Sequence, residues 1–150
     1  MTAVRVVRGL ADELLARARA ALPEEACGVL LGRPGPPAEI LRTLSARNVA
    51  RLPARRFELD PGALVAAEDL ARGIGLEVVG VWHSHPSGPA IPSEEDRAGA
   101  FGGWHNVIAA PGVFPGELRC YRLEAGRYRE ERLRTLRPRS FPAARGERIS

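Results

Sequence analysis

LEVVGVWHSHPSGPAIPSEED, residues 76–96, is the stretch on which the reading of the whole chain turns. Its first ten residues form a short apolar run rich in valine and ending in two histidines, the pattern of a strand buried in the middle of a sheet. Pro86, Pro89 and Pro92, with Gly88 among them, stop that strand and fold the chain back. From Ser93 onward SEEDRAGAF, residues 93–101, reads as a helix. Residues i and i+2 of a strand project to the same face, so His83 and His85 present both imidazoles to one side while Ser84 points away. The bend allows a residue in the first turn of the following helix, Asp96, to face them. Two neutral imidazoles and one carboxylate make a three-ligand set suited to a catalytic zinc with a fourth position left for water. Water bound in this way has its pKa lowered to about 7.

A second account uses the same residues without a metal. Ser93 and Asp96 stand at capping-box spacing, where a serine hydroxyl takes a backbone N–H and an acid three residues on reaches back. Histidines near the end of a buried strand can also be hydrogen-bonded core or rim groups. The two accounts are compatible at Ser93, whose hydroxyl can cap a helix and still reach a reacting carbonyl.

Outward from this centre the chain alternates strands and helices. AVRVVRG at 3–9 alternates as a short strand, and LADELLARARAAL at 10–22 carries Leu10, Leu14, Leu15, Ala18 and Leu22 at helical spacing. ACGVLLG at 26–32 is a continuous apolar strand, RPGPP at 33–37 a turn, and AEILRTLSARNVA at 38–50 the second arm of a hairpin. Asp60 followed by Pro61 reads as an N-cap with proline at the first helical position, opening a helix that runs to the glycines at 73 and 75. HNVIAA at 105–110 is another buried strand, and residues 117–133 are two alternating strands about Ala125-Gly126. The tail, 137–150, has little to bury and reads as a loose basic segment, with residues 1–136 as one catalytic domain. The expected fold class is mixed α+β, a single domain with a curved mixed sheet flanked by helices.

Composition removes several function classes. All 22 cationic residues are arginine, so lysine-based nucleophiles and Schiff bases are excluded. There is no glutamine, and only Asn48 and Asn106 carry a carboxamide. A net charge of +4 raises nucleic acid as a partner, but the arginines are interleaved with acids and read as a solvated surface. No segment approaches the roughly 20 apolar residues of a membrane span, which gives the expectation of a cytoplasmic protein without a membrane partner. Cys27 and Cys120 lie in apolar strands and read as reduced core thiols. No G-x-S-x-G elbow is present, which disfavours a serine nucleophile. His105 has no spacing relation to the histidine pair and reads as structural, and Trp82 and Trp104 read as sheet packing.

Glu24 and Glu25 immediately before the buried strand are out of place unless one faces a cleft. PEEACGVLLG, with HSHPSGPAIPSEED downstream, resembles the JAMM metalloprotease family, also called MPN-plus, in its compact prokaryotic form. The family pattern is a glutamate ahead of an apolar-Gly strand, then H-x-H-P, a bend and S-x-x-D. The resemblance implies that His83, His85 and Asp96 bind one zinc, that Glu25 is the general acid/base, and that Ser93 helps stabilise the tetrahedral intermediate. Glu25 rather than Glu24 is implied because the family's glutamate stands three positions before the strand glycine, here Gly28. Cys27 and Ser84 are expected as possible site-lining residues, Cys27 as a conceivable fourth ligand or redox inhibitor against the plainer reading of a buried strand residue. The resemblance also implies a fold similar to that of the cytidine deaminases. It implies hydrolysis of the peptide or isopeptide bond after the C-terminal Gly-Gly of a ubiquitin-like or sulfur-carrier protein, whose tail would enter as an added strand beside an exposed sheet edge. Two alternatives stay open: a RadC-like DNA-associated protein with a similar H-x-H-P-S-G segment, and a metal-free scaffold binding a ubiquitin-like partner. A homodimer is also left open.

Overall fold

A computed structural model describes residues 1–98 and 102–137 of the chain. The elements are β1 (Ala3–Val6), α1 (Leu10–Ala21), β2 (Cys27–Arg33), β3 (Ala38–Ala46), α2 (Pro61–Gly73), β4 (Glu77–Ser84), α3 (Glu94–Ala98), β5 (His105–Ala110), β6 (Glu117–Glu124) and β7 (Arg127–Thr135). Each strand and helix expected from the sequence is present. The expected end of the third helix, 99–101, and all but the first residue of the expected loose tail lie outside the described residues.

The strand order is β1-β3-β2-β4-β5-β6-β7, and β1 pairs with β7 as well as with β3. The sheet is mixed: β1 runs parallel to both its neighbours and β4 parallel to β5, while the remaining pairs are antiparallel. The curved sheet therefore closes on itself, which the expectation of a flanked curved sheet did not contain. Among the described residues every strand has a neighbour on each side, although β1 covers only Ala38–Ile40 of β3 and Arg132–Thr135 of β7. Closure rests on four residues of β1 meeting Arg132–Thr135, a pairing of high sequence separation that leaves no local trace in the sequence.

Alternation divides the side chains among three apolar clusters, the smallest formed by Ala90, Ile108, Ala110 and Tyr121. On one face Val4, Ile40, Leu30, Trp82, Val107 and Cys120 pack with Leu10, Leu14, Leu15 and Ala18 of α1. Leu22, expected on that stripe, lies one residue past the helix and is 48% exposed. On the other face Val29, Leu31 and Val78 pack with Ala67 and Ala71 of α2. Helix α2 begins as expected, with the Asp60 carboxylate accepting the Gly62 N–H at 3.0 Å and Pro61 in the first turn. On this second face Cys27 sits directly across from His83 in the antiparallel β2–β4 pair.

The close approach of β3 to β2 is visible at Gly28, where a Cβ would stand 1.9 Å from the Leu44 carbonyl oxygen and 2.3 Å from the Trp82 indole nitrogen. That indole N–H donates to the same carbonyl at 3.3 Å, so the side chain beneath Gly28 is fixed in place. Gly28→Ala is expected to lower unfolding stability by about 2 kcal/mol or more in denaturant titration, because neither backbone nor indole can retreat; unchanged stability would show that β3 gives way.

Candidate metal centre

Three ligand-type side chains converge at the ends of β4 and α3. His83 Nε2 and His85 Nε2 are 3.3 Å apart, and Asp96 Oδ2 lies 3.2 Å from the first and 3.1 Å from the second. A tetrahedron with metal–ligand arms of about 2.0 Å has edges of about 3.3 Å, so the three atoms are spaced as three corners of a zinc site. This agreement is the test that the residues present fit a metal, and they form one of the two groups of candidate ligands among the described residues.

Local chemistry explains how each ligand is held. His83 is the last residue but one of β4, is 3% exposed, and has its ring stacked on Phe57 with centroids 4.4 Å apart. His85 continues the ladder through its own N–H to the Ala109 carbonyl at 2.9 Å, and its Nδ1 meets the Pro89 carbonyl at 3.0 Å. That carbonyl belongs to the proline bend, which is tied down at Ala90. The Ala90 N–H donates to Glu117 at 2.8 Å, and the Tyr121 hydroxyl donates to the Ala90 carbonyl at 2.6 Å. Such carbonyl partners on ligand histidines orient the ring.

Asp96 carries both of the roles that the sequence left as alternatives. Its N–H donates to the Ser93 hydroxyl at 3.1 Å and the Ser93 N–H donates to Asp96 Oδ2 at 2.8 Å, which is the capping box. The same Oδ2 faces both histidines. Burial pushes the Asp96 carboxyl up, but the hydrogen bonds from His83 and His85 and the Ser93 N–H overcome this and hold it well below the usual carboxylate range. His83 is shifted down by its complete burial, which keeps it neutral, whereas for His85 the bonds to Asp96 and Pro89 outweigh burial and raise it.

Glu25 behaves in the opposite way to Asp96. It is 6% exposed, and its Oε1 is buried without a hydrogen-bond partner among the described residues. Burial, and then the Asp96 charge, raise its carboxyl from 4.5 to about 7. In the metal-free protein this leaves a carboxyl that holds a proton close to neutral pH. Cys27 and Ser84 are held by other partners. The Cys27 thiol points to the Ala46 carbonyl at 3.7 Å, stands outside the ligand group, and is pushed up to about 12 by burial, so it is a protonated strand residue. The Ser84 hydroxyl accepts the Ala26 N–H at 2.8 Å while the Ser84 N–H donates to the Ala26 carbonyl at 2.9 Å, fixing the residue that follows Glu25.

A cavity of about 310 Å³ opens beside His83 and Asp96, lined by Phe57, Leu59, Leu64, Val81 and Trp104 among others. Trp104, read as sheet packing, borders this cavity; Trp82 is fully buried in the core as expected. His105 lies away from the ligands, buried with its Nδ1 2.5 Å from Glu131. Sequence reasoning missed Phe57, Asn48 and the Tyr121–Ala90 tie, because each acts across a long sequence separation. Of these only Asn48 left a trace, as one of two carboxamides in the chain.

Comparison with known proteins agrees with this geometry. Residues 7–124 match the family described as prokaryotic homologs of the JAB domain. A probable TtuB-protein conjugate cleaving protease of Thermus thermophilus is 36% identical over 91 residues, spanning 61% of this chain and 59% of that protein. A desampylase of Haloferax volcanii is 32% identical over 128 residues, spanning 79% of this chain and 86% of its own length. The solution structure of a protein from Desulfitobacterium hafniense superposes with a TM-score of 0.79 at 29% identity, covering 90% of this chain and 94% of that one. With the glutamate, the histidine pair and the S-x-x-D turn all inside the matched span, the chain belongs to the prokaryotic homologues of the JAB domain, the family its JAMM-like motif resembles.

Proposed function

We propose that this protein is a zinc-dependent hydrolase that cuts the peptide or isopeptide bond after the C-terminal Gly-Gly of a small ubiquitin-like or sulfur-carrier protein. The observation that carries the proposal is the pairing of a metal-spaced His83–His85–Asp96 set with a buried carboxylate at Glu25, one oxygen of which has no hydrogen-bond partner among the described residues. The relatives named as a conjugate cleaving protease and desampylases support the substrate class.

Zinc bound by the three ligands would act as a Lewis acid and make water nucleophilic near neutral pH. The chain's own residues supply the rest. Asp96 stays charged and balances the cation, while neutral His83 can offer Nε2 only by carrying its proton on Nδ1. Glu25 takes the water proton and returns it to the leaving amine. The Ser93 hydroxyl accepts from the Asp96 N–H, so its own O–H is available to donate to the carbonyl oxygen as negative charge develops there. Phe57 and Trp104 form apolar walls that keep bulk water from the reacting bond. The carrier tail is proposed to enter over the mouth between the 48–59 loop and the proline bend. A diglycine suits that approach, having no side chain to clash with the Phe57 ring.

The deciding experiment is zinc content by elemental analysis alongside cleavage of a carrier extended past Gly-Gly. Glu25→Gln is expected to keep one zinc and lose about 100- to 10,000-fold in kcat; the double substitution His83→Ala/His85→Ala is expected to lose both metal and activity. A wild-type protein that takes up no zinc and cleaves nothing sinks the proposal in favour of the scaffold reading. Ser93→Ala is expected to lower kcat by about 100-fold while retaining zinc. The raised Glu25 carboxyl gives a further check on the metal-free protein. Its folded form holds a proton that the unfolded chain, near 4.5, has already released, so the residue costs the fold stability as pH rises from 4.5 to about 7. Glu25→Gln should therefore gain in stability relative to wild type across that window, and an equal pH dependence in the two would contradict the burial of the charge.

A further inference from the structure

Asn48 uses all of its side chain's hydrogen-bonding capacity on the backbone around Glu25 and Phe57. Its carboxamide nitrogen donates to the carbonyls of Glu25 and Arg56, each at 3.0 Å, with a longer approach to the Pro53 carbonyl at 3.4 Å. Its Oδ1 accepts the N–H groups of Ala50 and Glu58, both at 3.0 Å. A carboxamide has two donor hydrogens and two acceptor lone pairs, and here each has a backbone partner. Aspartate would turn both donors into acceptors facing two carbonyls, and glutamine is one methylene too long for the same reach.

The consequence is that one side chain joins three parts of the site. The 48–59 loop is closed at its base by the Asn48–Leu59 bridge and by the Val49 N–H donating to the Glu58 carbonyl at 2.9 Å. Within the loop, Phe57 stacks on His83 and the Arg56 guanidinium pairs with Glu95 of α3 at 3.3 Å. Glu25 is gripped at both its peptide groups: its N–H donates to the Pro53 carbonyl at 2.7 Å and its carbonyl accepts from Asn48. No regular strand pairing holds Glu25, which precedes β2, so the base of the proposed reaction is positioned by this loop.

We propose that Asn48 is a positioning residue for the hydrolysis, holding the Glu25 backbone and the Phe57 loop in one fixed relation to the His83–His85–Asp96 set. This rests on the reading of Glu25 as the base. It acts through those residues and touches neither metal nor substrate.

The test compares Asn48→Asp and Asn48→Ala with Leu14→Ala, a core substitution in α1 that destabilises the fold on the opposite face of the sheet. Amide hydrogen exchange is followed by NMR on the full metal-free chain, and kcat and KM are measured on the zinc-loaded chain well below each variant's unfolding temperature. In the Asn48 variants the Glu25 amide is expected to exchange about tenfold faster or more while Val29 in β2 stays protected. At the same time kcat should fall about 10- to 100-fold, with KM within about threefold of wild type. Leu14→Ala should produce neither the local exchange nor the selective kcat loss. The proposal is overturned if Glu25 exchange stays within about twofold of wild type, if Leu14→Ala loses kcat equally, or if both Asn48 variants fail to fold where Leu14→Ala folds. Should wild type prove unable to cleave while Glu25 exchange still responds, the proposed function fails and the grip of Asn48 on Glu25 stands.

Discussion

The antiparallel register of β2 on β4, which sets Cys27 opposite His83, is the constraint on which the remaining architecture hangs. Alternation along β4 then puts His83 on the face that carries α2 and turns Trp82 into the core under α1. A slip of one residue would exchange these two side chains, burying an imidazole among leucines and exposing an indole. The register is held at the end of β4 by the reciprocal Ser84–Ala26 hydrogen bonds and inside the sheet by the narrow fit at Gly28. Glu25 stands one residue beyond that lock, where the 48–59 loop takes over the hold on its backbone.

Two carboxylates that both sense His85 are driven to opposite protonation behaviour. Asp96 gathers donors from two imidazoles and a backbone N–H, whereas Glu25 has an oxygen that meets none. Their mutual repulsion adds to the difference, since the Asp96 charge is the second cause of the rise at Glu25. Burial alone would raise both; the distribution of N–H donors separates them. This division between a permanent anion and a proton carrier is the electrostatic arrangement that hydrolysis by activated water needs.

Much of this was legible in the sequence because it depends on local chemistry. The histidine pair follows from strand alternation, the start of α2 from Asp60-Pro61, and the α3 turn from the S-x-x-D spacing. Closure of the sheet was not legible: β1 is four residues long and finds its second partner near residue 135. The wall of the cavity was also hidden, since Phe57 reaches His83 from a loop with no periodicity of its own. Asn48 illustrates the limit best, because an asparagine after a strand signals only a turn. Its link to Glu25 appears once the hairpin and the residues preceding β2 are brought together.

The proline bend has a chemical consequence beyond shape. A carbonyl oxygen can only accept a hydrogen bond, so Pro89 keeps a proton on His85 Nδ1, and Nε2 is the nitrogen left for a cation once the proton it shares with Asp96 is released. Because Tyr121 and Glu117 anchor the adjacent Ala90, that placement is set by β6, a strand remote in sequence from the histidine. His83 has no such acceptor at Nδ1 among the described residues. The two imidazoles are therefore unequal partners for a cation: one is preset by the fold, and the other must place an N–H in a pocket that offers it no acceptor, a penalty of about 1–3 kcal/mol.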